Sequence, residues 1–109
     1  MNASQTQLVA RSVELLSEVV EHVHFQINTD ASVSDVWEFV YESLDPILRP
    51  LNRVTASGQF TGRYEVIRAR VILQAVKQQA ERCSLCSVEE LLEHLQNALA
   101  ALSRGLYDL

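Results

Sequence analysis

The sequence predicts an all-α fold, a four-helix antiparallel bundle whose second helix is kinked by proline. Three observations point there. Only three glycines and two prolines interrupt 109 residues, so turns are few and the elements between them are long. Apolar residues recur three and four apart over most of the chain, the period of a helix with one buried face. The polar stretches between these segments are short, and short connections favour antiparallel neighbours. A length of 109 residues with 48% apolar side chains suits a single helical domain over residues 1–109, with enough apolar surface for one core.

The first helix is expected from about Ser4 to about His24 or slightly beyond. Val9, Val13, Leu16, Val20, Val23 and Ile27 form its stripe, widened by Leu8, Leu15 and Val19, while Arg11, Glu14, Glu18 and Glu21 hold the opposite face. Residues 23–28 also alternate apolar and polar, as a strand would. Asn28–Ser32 is the first turn, and Ser32 with Asp35, or Ser34 alone, can cap the second helix. Its stripe of Val33, Trp37, Val40, Leu44, Ile47, Leu51 and Val54 keeps phase across Asp45-Pro46 and Pro50. That continuity predicts a kink after Leu44 and a continuation to about Ala56, not a reversal.

Ser57–Gly62 is the clearest loop. The third helix is expected from about Arg63 to about Cys83, with Tyr64, Ile67, Val71, Ile72, Ala75, Val76 and Ala80 turned inward. Ser87-Val88-Glu89-Glu90 has the form of a capping box and opens the fourth helix. There Val88, Leu91, Leu92, Leu95, Leu99, Leu102 and Leu106 make a seam, with Gly105 near the stop. So many leucines invite burial on more than one side, and with it a homodimer, while a monomer with this helix in its own core accounts for them equally well.

The formal net charge is −5, which argues against nucleic acid or an anionic membrane as the partner of the whole chain. The charge is segregated along the sequence. Arg11 is the lone base of residues 1–48, whereas residues 49–82 hold Arg49, Arg53, Arg63, Arg68, Arg70, Lys77 and Arg82 against Glu65 and Glu81. A basic third helix lying against acidic neighbours is the simpler consequence. A basic face open to an acidic protein or RNA is the sharper one, and the loop flanked by Arg49, Arg53 and Arg63, with Arg70 beyond it, is its expected centre. The absence of a long apolar run, of a signal-like start and of a disulfide framework leads to a cytoplasmic expectation.

Candidate chemistry is sparse. Cys83 and Cys86 have the spacing of metal and dithiol sites. In an up-down bundle the end of the first helix shares an end with them, so Cys83, Cys86, His22 and His94 are the candidate metal ligands. His24 is the remaining nitrogen donor. One cysteine pair is a single half-site, and two inert thiols at a helix corner are the plainer reading. Glu18/His22 and Glu90/His94 look like di-iron motifs but are spaced four apart, where such sites use three. Glycines are too dispersed to cradle phosphate, and no serine is flanked as a nucleophile. Trp37 and Tyr41 read as packing residues. No catalytic residue and no cofactor are expected, and the chain is read as a non-enzyme.

Val23–Val40, with its alternating start, polar turn and Val36-Trp37 pair, resembles the opening of the START-like lipid and hormone binding superfamily. The resemblance spans 18 residues and implies an α+β alternative, in which further strands curve round a ligand cavity. Helical periodicity beyond Trp37 places the bundle first. The functional expectation is a helical protein–protein interaction module, such as an adaptor, chaperone or regulatory subunit, whose partner is another protein. The alternatives are a thiol- or metal-responsive regulator using Cys83 and Cys86, and a nucleic-acid-binding regulator using residues 49–82.

Overall fold

The computed structural model describes residues 3–57, 63–82 and 87–107. They form four helices: α1 over Ala3–Asn28, α2 over Val33–Ser57, α3 over Arg63–Glu81 and α4 over Val88–Tyr107. Each helix packs on its neighbours in sequence and α4 closes against α1, so the four stand in a ring. Pairings across the seams step forward along one helix and backward along the next. His22 lies on Phe39, Tyr41 reaches Glu81, Lys77 reaches Asp45, Arg104 reaches Glu65, and Gln96 meets His24. The arrangement is an antiparallel four-helix bundle, 42 Å in its longest dimension.

The α+β alternative is overturned. Residues 23–28 complete α1, and no strand occurs among the described residues. The helix outcompetes alternation because Val23 points into the core while Phe25 points to water. A specific backbone device then ends α1. The amide of Ala31 donates to Gln26 O and that of Asp30 to Ile27 O, while Asp30 takes a left-handed φ of 56°. This is a Schellman stop with aspartate where glycine is more usual. Ser32 follows as the cap of α2, its hydroxyl accepting from the Asp35 amide at 3.1 Å.

Pro46 and Pro50 both lie inside α2, so the two predicted stretches are one helix. Each proline removes one backbone donor, the usual local cause of bending. The cost is met by packing on both sides of the prolines, where Leu44, Ile47, Leu48, Leu51 and Val54 are all buried. Ser87 caps α4, its hydroxyl accepting from the Glu90 amide at 3.1 Å. Gly105 lies near the stop, as expected, with the helix ending at Tyr107. It is buried within the last turn, in line with Ala98 and Ala101. Together with Ala69 of α3, these small residues suit the most extensive helix pairing in the bundle, α3 against α4.

The largest correction concerns the rotation of α3. Its buried residues are Val66, Ala69, Leu73 and Val76. Of the residues expected inward, Val76 is buried, Ile67, Ile72 and Ala80 are half-buried, and Tyr64, Val71 and Ala75 are exposed. Apolar side chains occur on nearly every face of this helix, so periodicity alone leaves its phase open. At the start of α2, Val33 is likewise exposed and Val36 is the buried residue. The leucines of α4 are absorbed by the bundle: Leu91, Leu95 and Leu102 are buried, and Leu92, Leu99 and Leu106 pack against the same core.

Candidate interaction surface

Chain reversal gathers charges that are far apart in sequence. The start of α1, the end of α2, the start of α3 and the end of α4 share one end of the bundle. Arg11, Arg49, Arg53, Arg68, Arg70 and Arg104 therefore lie in that half, and Arg63 is the first residue of α3 there. The acids in this half are few, chiefly Glu14 and Glu65, and both are already engaged. Glu14 takes Arg11 at 3.0 Å and Glu65 takes Arg104 at 3.3 Å. The opposite half carries Glu18, Glu21, Asp35, Glu38, Glu42 and the Glu89–Glu90–Glu93 group, with Lys77 and Arg82 as its bases. The Debye length at physiological salt is about 8 Å. Over a 42 Å body each end thus acts through its own charge, and the total of −5 describes neither.

The four arginines singled out from the sequence fare differently. Arg49 is exposed and pairs with Asp45 at 2.8 Å. Arg53 is exposed near the end of α2. Arg70 is half-buried, and its Nε is enclosed without a hydrogen-bond partner among the described residues. Arg63 opens α3. Arg68 and Arg104 complete the group, and Arg104 was hidden in the sequence because it stands alone among acids in its own segment. The expected neutralisation of α3 by its neighbours is carried by Lys77, which shares Asp45 with Arg49. The Lys77 ammonium also sits 5.7 Å from the centre of the Tyr41 ring, within cation–π range.

A second feature is the outward stripe of α3. Tyr64 is 77% exposed and Val71 53% exposed. With Arg68 and Ala75 they line one exposed face at helical spacing, flanked by half-buried Ile67 and Ile72. The outward face of each other helix is more polar, with Phe25 of α1, Val33 and Tyr41 of α2 and Tyr107 of α4 as the exposed large apolar residues there. On α1 it carries Arg11, Glu14, Glu18 and Glu21, and on α4 it carries Glu89, Glu93, Gln96, Asn97 and Arg104.

Two grooves border α2. The one against α1 encloses about 390 Å3 and is lined by Leu15, Glu18, Val19, His22, Phe39, Ser43 and Pro46. His22 closes one wall, its ring 4.1 Å from that of Phe39. The groove against α3 encloses about 320 Å3, and Asp45, Arg49, Lys77 and Glu81 line it with amide side chains. It is occupied by its own ion pairs. Trp37 packs against the core beside Val36 and Val40, as a packing residue does, although its indole N–H lacks a partner among the described residues.

Of the candidate metal ligands, Cys83 and Cys86 lie outside the described residues. His22 is committed to Phe39, His94 is half-buried on α4, and His24 meets Gln96 at 3.3 Å. Among the described residues no three His, Cys, Asp or Glu side chains converge as a metal site would require. No helix among them is long and apolar enough to cross a membrane. No family model matches the chain, and no curated protein or solved structure shows significant similarity to it.

Proposed function

We propose that this chain is a non-enzymatic helical interaction module, of the adaptor, chaperone or regulatory-subunit kind, which binds an acidic segment of another protein at its arginine-bearing end. The observation that carries the reading is the collection of arginines from all four helices in one half of the bundle. Arg53 and Arg68 are exposed there, and the local acids Glu14 and Glu65 are already in ion pairs. Arginine suits such contacts because its planar fork meets a carboxylate with two donors and is weakly hydrated. Exposed Tyr64 beside it adds an aromatic of the type enriched at interfaces. A cytoplasmic location goes with this reading.

The test is a pair of titrations, one with an acidic amphipathic helical peptide and one with a single-stranded RNA of equal charge. Both are run on the parent protein and on Arg53→Glu/Arg68→Glu. Peptide binding should weaken at least about tenfold, or roughly 1.4 kcal/mol, in the double variant. RNA binding tighter than peptide binding, with a steep salt slope, would transfer the same arginines to the nucleic-acid reading. Binding of neither ligand would remove both. The thiol- or metal-responsive reading rests on the Cys83/Cys86 spacing alone. It predicts a zinc mass increment in native mass spectrometry that Cys83→Ser abolishes.

A further inference from the structure

We infer that the outward face of α3 binds the same face of a second copy of this chain, with the two helices antiparallel. This goes beyond the acidic-partner reading and stands without it. Tyr64, Val71 and Ala75 run as an apolar stripe along α3, whereas α1 and α4 each expose one large apolar side chain near one end, Phe25 and Tyr107, on faces otherwise dominated by charged and polar residues. A contact of that kind between identical chains is self-complementary and closes as a two-fold dimer.

Charge chooses both the occupant and the direction. The stripe spans both halves of the bundle, from the arginine end at Tyr64 to the carboxylate end beyond Ala75. Parallel pairing would set like ends together, at a cost. Antiparallel pairing sets the arginine end of each copy beside the Glu89–Glu93 end of the other, and Arg104 of one α4 faces the start of the other α4. It also sets large against small, because the Tyr64 ring of one copy falls near Ala75 of the other. Arg68, in the middle of the stripe, can lay its stem along Val71 and carry its charge to the rim.

Sedimentation velocity across a concentration series tests this, at low and high salt. The parent chain should shift from monomer to dimer as concentration rises, and the shift should weaken with salt. Val71→Glu should abolish it with an unchanged circular dichroism spectrum, since Val71 is 53% exposed; Ala75→Glu is the second variant. Orientation is read by mixing chains bearing Tyr64→Cys and Ala75→Cys, both in a Cys83→Ser/Cys86→Ser background, under mild oxidation. Antiparallel pairing yields the mixed disulfide. A chain that stays monomeric throughout, a dimer indifferent to both glutamate variants, or Tyr64→Cys linking only to itself would each overturn the inference. Peptide binding at the arginine end, measured on Val71→Glu, shows separately whether the acidic-partner reading survives.

Discussion

The third and fourth helices are antiparallel neighbours of almost equal length, 19 and 20 residues, yet they use their apolar residues differently. On α4 the leucines converge. Leu91, Leu95 and Leu102 are fully enclosed, and the helix presents mainly carboxylates and amides to water, with Ala100 and Tyr107 exposed in its second half. On α3 they are divided. Val66, Ala69, Leu73 and Val76 face the core, while Tyr64 and Val71 face solvent. A helix whose leucines all face or border the core has given them to folding. One that leaves a stripe outside retains surface that water wets poorly, and such surface marks contact sites. The contrast teaches that α4 turns its leucines to the core while α3 leaves Tyr64 and Val71 outside it, which is the feature our dimer proposal rests on.

Substitutions can break or sharpen this contrast. The largest effect is expected at the centre of α4, where Leu95→Ala should cost about 2–5 kcal/mol in chemical denaturation, since the site is enclosed and leaves a cavity. Gly105→Leu should cost about 1–3 kcal/mol by forcing side-chain volume between α3 and α4. Removing the cap of α4 with Ser87→Ala should cost about 1 kcal/mol, read as a lower thermal midpoint. Asp30→Gly should move stability the other way, raising it by about 0.5–1 kcal/mol. Glycine relieves the left-handed backbone there, and the substitution removes a negative charge from the negative end of α1. The smallest effect belongs to α3: Val71→Ala should change monomer stability by no more than about 0.5 kcal/mol. The comparison breaks if Val71→Ala costs as much as Leu73→Ala under dimer-free conditions, because then both faces of α3 would be internal.

Legibility varied from helix to helix, for a physical reason in each case. Where strong local chemistry stood at a boundary, as with Ser32 before Asp35 and Ser87 before Glu90, the residues named their own caps. Where apolar and charged residues separated cleanly, as on α1 and α4, the inward face followed from spacing. Gly105 marked the neighbourhood of the helix end at Tyr107, and its burial in line with Ala98 and Ala101 is a packing role that spacing did not show. Residues 23–28 left a strand open because six residues of alternation also satisfy a helix, and the helix reading carried by Val23 and Ile27 holds. The Schellman stop at Asp30 extends α1 to Asn28.

By itself, then, the order of residues determined four helices, their caps and the burial of a leucine seam, because these depend on contacts within a few turns. It also placed a basic segment between two acidic ones. Only the tertiary structure decided which face of α3 turned inward. With apolar residues on nearly all its faces, the choice fell to what α2 and α4 offered, including the small Ala98–Ala101–Gly105 row. Only the tertiary structure turned three charge segments into two oppositely charged ends. Each chain reversal inverts direction along the bundle axis, and so Arg11 and Arg104, 93 positions apart, lie in the same half.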